Sequence, residues 1–214
     1  MTTNIGYWER ILQSPTSPYQ ELFESEKKYL TTHISKDSSV LDVGCGDGTT
    51  IKSILPIATN VVGIDNDPKA VADAQLKLKS TPSVKILLAD ALELPFPDQT
   101  FDVVTHMMTL VNFKEDKVRA LIEMARVLKD DGQIIVSVYS ENALSSRLEM
   151  YKQINVPIER IDGTRIVFDK SVGANESEQF SKEQFELLAT NASLEISDCQ
   201  KVGTLGYIFK LTTG

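Results

Sequence analysis

The sequence predicts an α/β fold: a doubly wound seven-stranded sheet, mostly parallel with an antiparallel C-terminal strand, and helices on both faces. Three observations carry this. Five short runs rich in β-branched residues alternate with helix-like stretches through the first two thirds of the chain. Those runs are largely apolar rather than alternating, as in strands covered on both faces. The last two runs follow each other with only Gly203, Thr204 and Leu205 between them, a link suited to an antiparallel hairpin.

The elements follow in order. SPTSP at 14–18 marks a break between two N-terminal pieces. After it, residues 19–34 carry Leu22, Phe23, Glu26, Tyr29, Leu30 and Ile34 at helical spacing, apolar at all but one position. Strands are expected at 39–43, 60–64, 84–89, 101–106 and 133–138, and helices at 48–55, 67–79 and 115–129. Asp67 is the expected N-cap of the second of these helices, with Pro68 at the first helical position, where its missing N–H costs nothing. In the third, Val118, Leu121, Ile122, Ala125 and Leu128 keep the helical rhythm and Gly132 is the expected stop. DALELPFPDQT, with two prolines, is expected to hold little helix. Ser181 and Gln184 form a capping box for a helix over 181–191, before strands at 194–202 and 206–213. Within 139–180, IERI and RIVF flank Asp162, Gly163 and Thr164, the pattern of a small inserted hairpin overhanging the carboxyl ends of the strands.

Composition limits the function. At 214 residues with 42% hydrophobic and 24% charged side chains, the chain reads as one soluble domain, and no stretch has the apolar length of a membrane span. The first fifteen residues lack the basic and apolar regions of a secretion signal. Cys45 and Cys199 form neither a metal cluster nor a disulfide framework, so a reducing cytoplasm is the expected compartment. The net charge of −8 argues against a nucleic-acid partner.

The chemistry centres on VLDVGCGDGTT, residues 40–50. Gly44, Gly46 and Gly48 follow the first strand and let a ligand approach the main chain. The dinucleotide fingerprint G-x-G-x-x-G places its third glycine one residue later, and Asp42 would repel a pyrophosphate. A ligand with an ammonium or sulfonium group would be attracted instead. Asp65 ends the second strand seventeen residues after Gly48, where an ionised carboxylate can accept both hydroxyls of a ribose.

On these residues the chain resembles the class I, Rossmann-like S-adenosylmethionine-dependent methyltransferases, whose first motif is an apolar strand, an acid and G-x-G-x-G. The likeness covers residues 38–138 and extends loosely to the C-terminal hairpin. It implies S-adenosylmethionine as cofactor and S-adenosylhomocysteine as product. The implied cofactor residues are Asp42, Gly44, Cys45 and Gly46 at the loop, Asp65 at the ribose, Asn66 along the adenine or ribose, Asp90 and Ala91 at the adenine, and His106 with Met107 at the methionine and sulfonium end. The free N–H groups of the helix start at 47–49 would favour the methionine carboxylate. The implied division is an N-terminal helical cap (1–37), a cofactor-binding core (38–138), an insertion over the active site (139–180) and a closing helix and hairpin (181–214).

Beyond the cofactor, Tyr7 and Trp8 are candidates for an aromatic lid, and Arg147 and Tyr151 for acceptor contacts in the insertion. The insertion, however, carries five basic and seven acidic side chains, a balance that suits a solvated surface. Methyl transfer from a sulfonium needs in-line positioning more than acid or base help. His106 is the one candidate base, and no metal cluster is apparent. The end of the fourth strand reads THMM, not the Asn/Asp-Pro-Pro-Tyr motif of many nucleobase methyltransferases. The expectation is methyl transfer to an N or O atom of a small molecule. The alternatives are a protein acceptor or a non-catalytic S-adenosylmethionine-binding protein. An aminopropyltransferase would add an acidic acceptor motif after strand four, and a nicotinamide enzyme would need the longer glycine spacing.

Overall fold

The computed structural model describes residues 6–172 and 176–214. Two helices, α1 (Tyr7–Gln13) and α2 (Ser17–His33), precede the sheet. Five strands then alternate with helices: β1 (Ser39–Val43), α3 (Thr49–Ile54), β2 (Asn60–Asp65), α4 (Pro68–Lys77), β3 (Val84–Leu88), β4 (Phe101–Met107), α5 (Lys117–Val127) and β5 (Leu128–Ser140). No helix joins β3 to β4, because the prolines of LELPFPD interrupt any helical run there. The chain continues with α6 (Leu144–Gln153), β6 (Ile158–Asp162), β7 (Arg165–Phe168), β8 (Glu176–Phe180), α7 (Lys182–Asn191), β9 (Leu194–Val202) and β10 (Gly206–Thr213).

The seven strands expected from sequence form the order β3-β2-β1-β4-β5-β10-β9, parallel except for β10, which runs antiparallel to both neighbours. The sheet has more strands than expected. β8 pairs in parallel with the end of β5 and continues into an antiparallel β8-β7-β6 ribbon, so the inserted hairpin is an extension of the sheet. β8 was invisible to a hydropathy reading because ESEQF carries only one apolar side chain.

Helix α4 starts as expected, with the Asp67 carboxylate accepting from Lys69 N at 2.9 Å ahead of Pro68. The capping box of α7 also forms, Gln184 N donating to Ser181 Oγ at 3.2 Å and Ser181 N to Gln184 Oε1 at 2.8 Å. Gly132 does not stop α5. The helix ends at Val127 and Gly132 sits inside β5, where the register with β4 shifts between Phe101 and Val103. Buried side chains of β1, β4, β5 and β10 form the middle of the core, with α2 packing against α3 and α5 against α7. The strand order reverses direction between β1 and β4, and a crevice opens there at the carboxyl ends of the strands, the place where open α/β sheets bind ligands.

Candidate functional site

A cavity of about 690 Å³ occupies this crevice, within the size range of small-molecule sites. Its floor is built from the ends of four strands: Gly44 to Asp47 after β1, Ile64 to Asp67 after β2, Ala89 to Leu92 after β3, and Met107 to Thr109 after β4. Its outer wall comes from α1 and α2, through Tyr7, Trp8, Leu12, Phe23, Glu26 and Lys27.

The glycine loop is bent back onto β2, with the N–H groups of Gly44 and Cys45 both donating to the Ile64 carbonyl at 2.8 and 2.9 Å. Gly44 has φ +72°, and a Cβ there would lie 2.4 Å from Thr109 Cγ2, so only glycine fits. Around Gly46, at φ +52°, a Cβ would meet nothing within 4 Å, which leaves its backbone bare beside the cavity. The Asp65 carboxylate accepts from Gly46 N through Oδ2 and from Asp67 N through Oδ1, each at 2.9 Å. Those two bonds orient both oxygens and leave further lone pairs for a ligand. Asn66 and Asp90 are exposed on the rim, Asp90 accepting from Leu92 N at 2.9 Å, and Ala91 is buried in the wall.

Asp42 lies beneath the lining. It is 1% exposed, its Oδ1 accepts from Thr105 Oγ1 at 2.7 Å, and its Oδ2 is buried with no partner. Burial pushes its carboxyl up to about 7, with the Thr105 hydroxyl opposing and the Asp65 charge adding to the rise. A buried oxygen without a donor is the environment that a cationic group above the loop would relieve. Cys45 is buried at 6% exposure, and burial, reinforced by the charges of Asp42 and Asp65, keeps its thiol protonated, so it packs and does not react.

Several sequence expectations place differently. His106 is not among the lining residues: it is fully buried, its Nδ1 pairs with the Val43 carbonyl at 2.7 Å, and its ring packs edge-on against Phe113. Side chains alternate along a strand, so of the two residues expected to face the cavity Met107 does and His106 does not. Burial lowers the imidazole to about 4, the Val43 carbonyl opposing, and a neutral core histidine results. The start of α3 is not free for an anion either, since Thr49 N donates to Asp47 Oδ1 at 3.1 Å.

Arg147 and Tyr151 do not line the cavity, nor does any described residue of 139–180. Arg147 is fully buried, its guanidinium 4.2 Å from the Tyr139 ring centroid, Nη2 donating to the Ser177 carbonyl at 3.0 Å. The insertion stands behind the wall instead of above the crevice. The Tyr7 ring lies 5.6 Å from Phe168 and 6.4 Å from Tyr151, and Arg10 Nη1 donates to the Ile154 carbonyl at 2.7 Å. It thereby fixes α1, which presents Tyr7 and Trp8 to the cavity. Sequence reasoning missed Glu26 and Asn112 as lining residues. The signal for Glu26 was present: it is the one acid in the apolar stripe of α2.

A strand-end crevice with a bare glycine loop and an acid at the end of β2 defines a nucleoside-cofactor domain of the doubly wound class. Residues 41–136 match the family model described as "Methyltransferase domain". The chain is 31% identical over 129 residues to a demethylmenaquinone methyltransferase of Bacillus licheniformis, covering 59% of this chain and 55% of that protein. It is 33% identical over 118 residues to a ubiquinone/menaquinone biosynthesis C-methyltransferase of Citrifermentans bemidjiense, covering 52% and 50%. This chain thus spans about half the length of these curated relatives. A crystal structure of a Pyrococcus horikoshii protein superposes with a TM-score of 0.75 at 26% identity, over 94% of this chain and 93% of that one. Residues 41–136 thus carry the methyltransferase-domain match, and over about half of its length the chain is similar to S-adenosylmethionine-dependent methyltransferases of class I. Among the described residues no group of three or more His, Cys, Asp or Glu is placed to hold a metal, and no helix is long and apolar enough to cross a membrane.

Proposed function

We propose that the protein transfers the methyl group of S-adenosylmethionine to an N or O atom of a small-molecule acceptor. The observation that carries this reading is the wall of α1 and α2, which turns the strand-end crevice into a bounded cavity with aromatic sides. A macromolecular acceptor would call for an open groove. The two curated relatives, one named for demethylmenaquinone and one a C-methyltransferase of ubiquinone/menaquinone biosynthesis, support a small-molecule acceptor, while the choice of N or O rests on the proposal itself.

The site residues fit the cofactor. Asp65, already oriented by two backbone N–H groups, takes the ribose hydroxyls. Asp90 and Ala91 take the adenine edge, with Asn66 beside the ribose. The bare backbone of Gly44 to Gly46 lies along the methionine part, and the unpartnered Asp42 oxygen beneath it favours the ammonium. Bound there, the cofactor supplies an already activated methyl group. The chain's own task is to hold the acceptor lone pair in line and to keep water out, a contribution that proximity and orientation can make large. Tyr7, Trp8, Phe23 and Phe113 provide the water-poor side.

Isothermal calorimetry against S-adenosylmethionine, S-adenosylhomocysteine and NAD tests the cofactor. Micromolar binding of the two sulfur ligands without NAD binding is expected, and absence of both would end the reading. Radiolabelled methyl transfer into small-molecule extracts, set against protein extracts, then tests the acceptor class; label entering only protein would reverse that choice.

A further inference from the structure

Glu26 is the one charged side chain on the buried stripe of α2, with the Ser137 hydroxyl of β5 as a hydrogen-bond neighbour. It is 9% exposed, it lines the cavity, and its Oε1 is buried without a hydrogen-bond partner. Asn112, in the short turn after β4, also lines the cavity and also has a buried Oδ1 without a partner. An unpaired buried acceptor keeps its desolvation penalty, a carboxylate most of all, and two of them in one cavity call for donors from a ligand. The residues proposed above for the cofactor lie on β1 and the loop after it and at the ends of β2 and β3. Glu26 belongs to the α2 wall, with Phe23 on the same helix and Trp8 6.0 Å from Phe23, centroid to centroid. A planar apolar body against those rings would bring a polar head to the carboxylate.

We infer that Glu26 is a catalytic residue that meets the nucleophilic O–H or N–H of the acceptor, with Asn112 as a second hydrogen-bond acceptor, and takes its proton during transfer. The proposal rests on the methyltransferase reading above. In the step, the acceptor's lone pair bonds to the methyl carbon while the carbon–sulfur bond breaks and its electron pair stays on sulfur. The proton leaves the acceptor heteroatom for the Glu26 carboxylate. The sulfonium charge and the carboxylate charge disappear together. Burial pushes the free carboxyl up to about 7, with the Ser137 hydroxyl opposing, which suits a group that must be ionised before transfer and protonated after it.

The chain has a single tryptophan, and it lines this cavity, so the one indole N–H signal in a nitrogen-15 correlation spectrum reports occupancy. The complex with S-adenosylhomocysteine is titrated at pH 8 with phenol, aniline and anisole, which share a ring and differ in the X–H donor. Phenol and aniline are expected to bind at least ~5-fold tighter than anisole, a preference within reach of one hydrogen bond to a charged acceptor. Glu26→Leu is expected to abolish the preference, and Glu26→Gln, which keeps a carbonyl acceptor, to retain part of it. Neither change should alter the calorimetric Kd for S-adenosylhomocysteine more than about twofold, a shift below about half a kcal/mol. A preference that survives Glu26→Leu, or no preference in the wild type, overturns the proposal. So does a tenfold loss of S-adenosylhomocysteine affinity in the variants, which would give Glu26 to the cofactor. Failure of the wild type to bind S-adenosylhomocysteine at all would instead bring down the methyltransferase reading and this proposal with it.

Discussion

Gly46 donates its backbone N–H to Asp65 Oδ2 at 2.9 Å, so the loop after β1 and the acid at the end of β2 are held as one unit. The unit has a consequence for affinity. Asp65→Ala removes the acceptor for ribose and frees the Gly46 amide together, and charge-assisted hydrogen bonds contribute about 1.5–3 kcal/mol each. We expect the Kd for S-adenosylhomocysteine to rise roughly 10- to 100-fold. The thermal transition should stay cooperative, because Asp65 is only half-buried at the surface of the crevice. An unchanged calorimetric Kd would remove the ribose assignment.

Asp42 should behave in the opposite sense on stability. Its folded carboxyl titrates at about 7, above the ordinary carboxylate value of about 3.8. A raised carboxylate favours the folded state fully at low pH, and that support is lost as the pH rises through 7. Asp42→Asn is therefore expected to stabilise the cofactor-free protein at pH 8 by up to ~4 kcal/mol, with the gain vanishing towards pH 4. The same variant should bind S-adenosylmethionine more weakly, since the carboxylate proposed to favour the ammonium from beneath the loop is gone. Urea melts at pH 5 and 8 and calorimetry check the two halves; weaker melting at pH 8 would contradict the burial argument.

The placement of the glycine loop and of Asp65 at the strand-end crevice was legible in the sequence, because glycine positions and strand-end acids are fixed by local backbone geometry. Gly44 must be glycine at φ +72°, and Asp65 must end a strand to reach the loop. The acceptor side was not legible to the same degree. Glu26 stands out as an acid in the apolar stripe of α2, but only the packing of α2 against the sheet shows which surface it faces. Arg147 and His106 misled for the same reason: residue type suggests chemistry, while burial depends on distant partners such as Tyr139 and Phe113. β8 escaped because polar ESEQF pairs by backbone hydrogen bonds and carries no hydrophobic pattern.

Gly44→Ala is expected to destabilise the fold by roughly 2–4 kcal/mol, from a strained left-handed residue and from collision with Thr109. The two contributions can be separated. Thr109→Ala removes the atoms 2.4 and 2.9 Å from the new Cβ, so the double variant should recover the collision part and keep the backbone part. Equal urea midpoints for the single and double variants would show that the methyl group is accommodated elsewhere.

Arg147 is a buried cation paired with a ring, a backbone carbonyl and the Gln179 amide oxygen, and with no carboxylate among the described residues. Replacing it by Met keeps most of the volume and removes the desolvated charge, a change that is often neutral or stabilising. Arg147→Met should leave both the Kd for S-adenosylhomocysteine and the KM for the acceptor within about twofold, equivalent to under half a kcal/mol. A larger rise in KM alone would show that the insertion reaches the acceptor.

His106 provides the sharpest contrast between a residue near a site and a residue in it, because its neighbour Met107 lines the cavity and it does not. The imidazole is held neutral, titrating at about 4 in the folded chain against 6.5 ordinarily. A depressed histidine contributes stability that is present above 6.5 and is lost as the pH falls towards 4. That single group accounts for about 3 kcal/mol over this window. His106→Gln removes the titration, so the variant should lose less stability than the wild type between pH 7 and pH 4, whatever its stability at neutral pH. The cofactor Kd should stay within about twofold, again under half a kcal/mol. The acceptor pH–rate profile should keep its shape, since the proton in transfer never meets this ring. A profile that loses an inflection near neutral pH in His106→Gln would restore the histidine to the chemistry and displace the core role given to it by the Val43 carbonyl and Phe113.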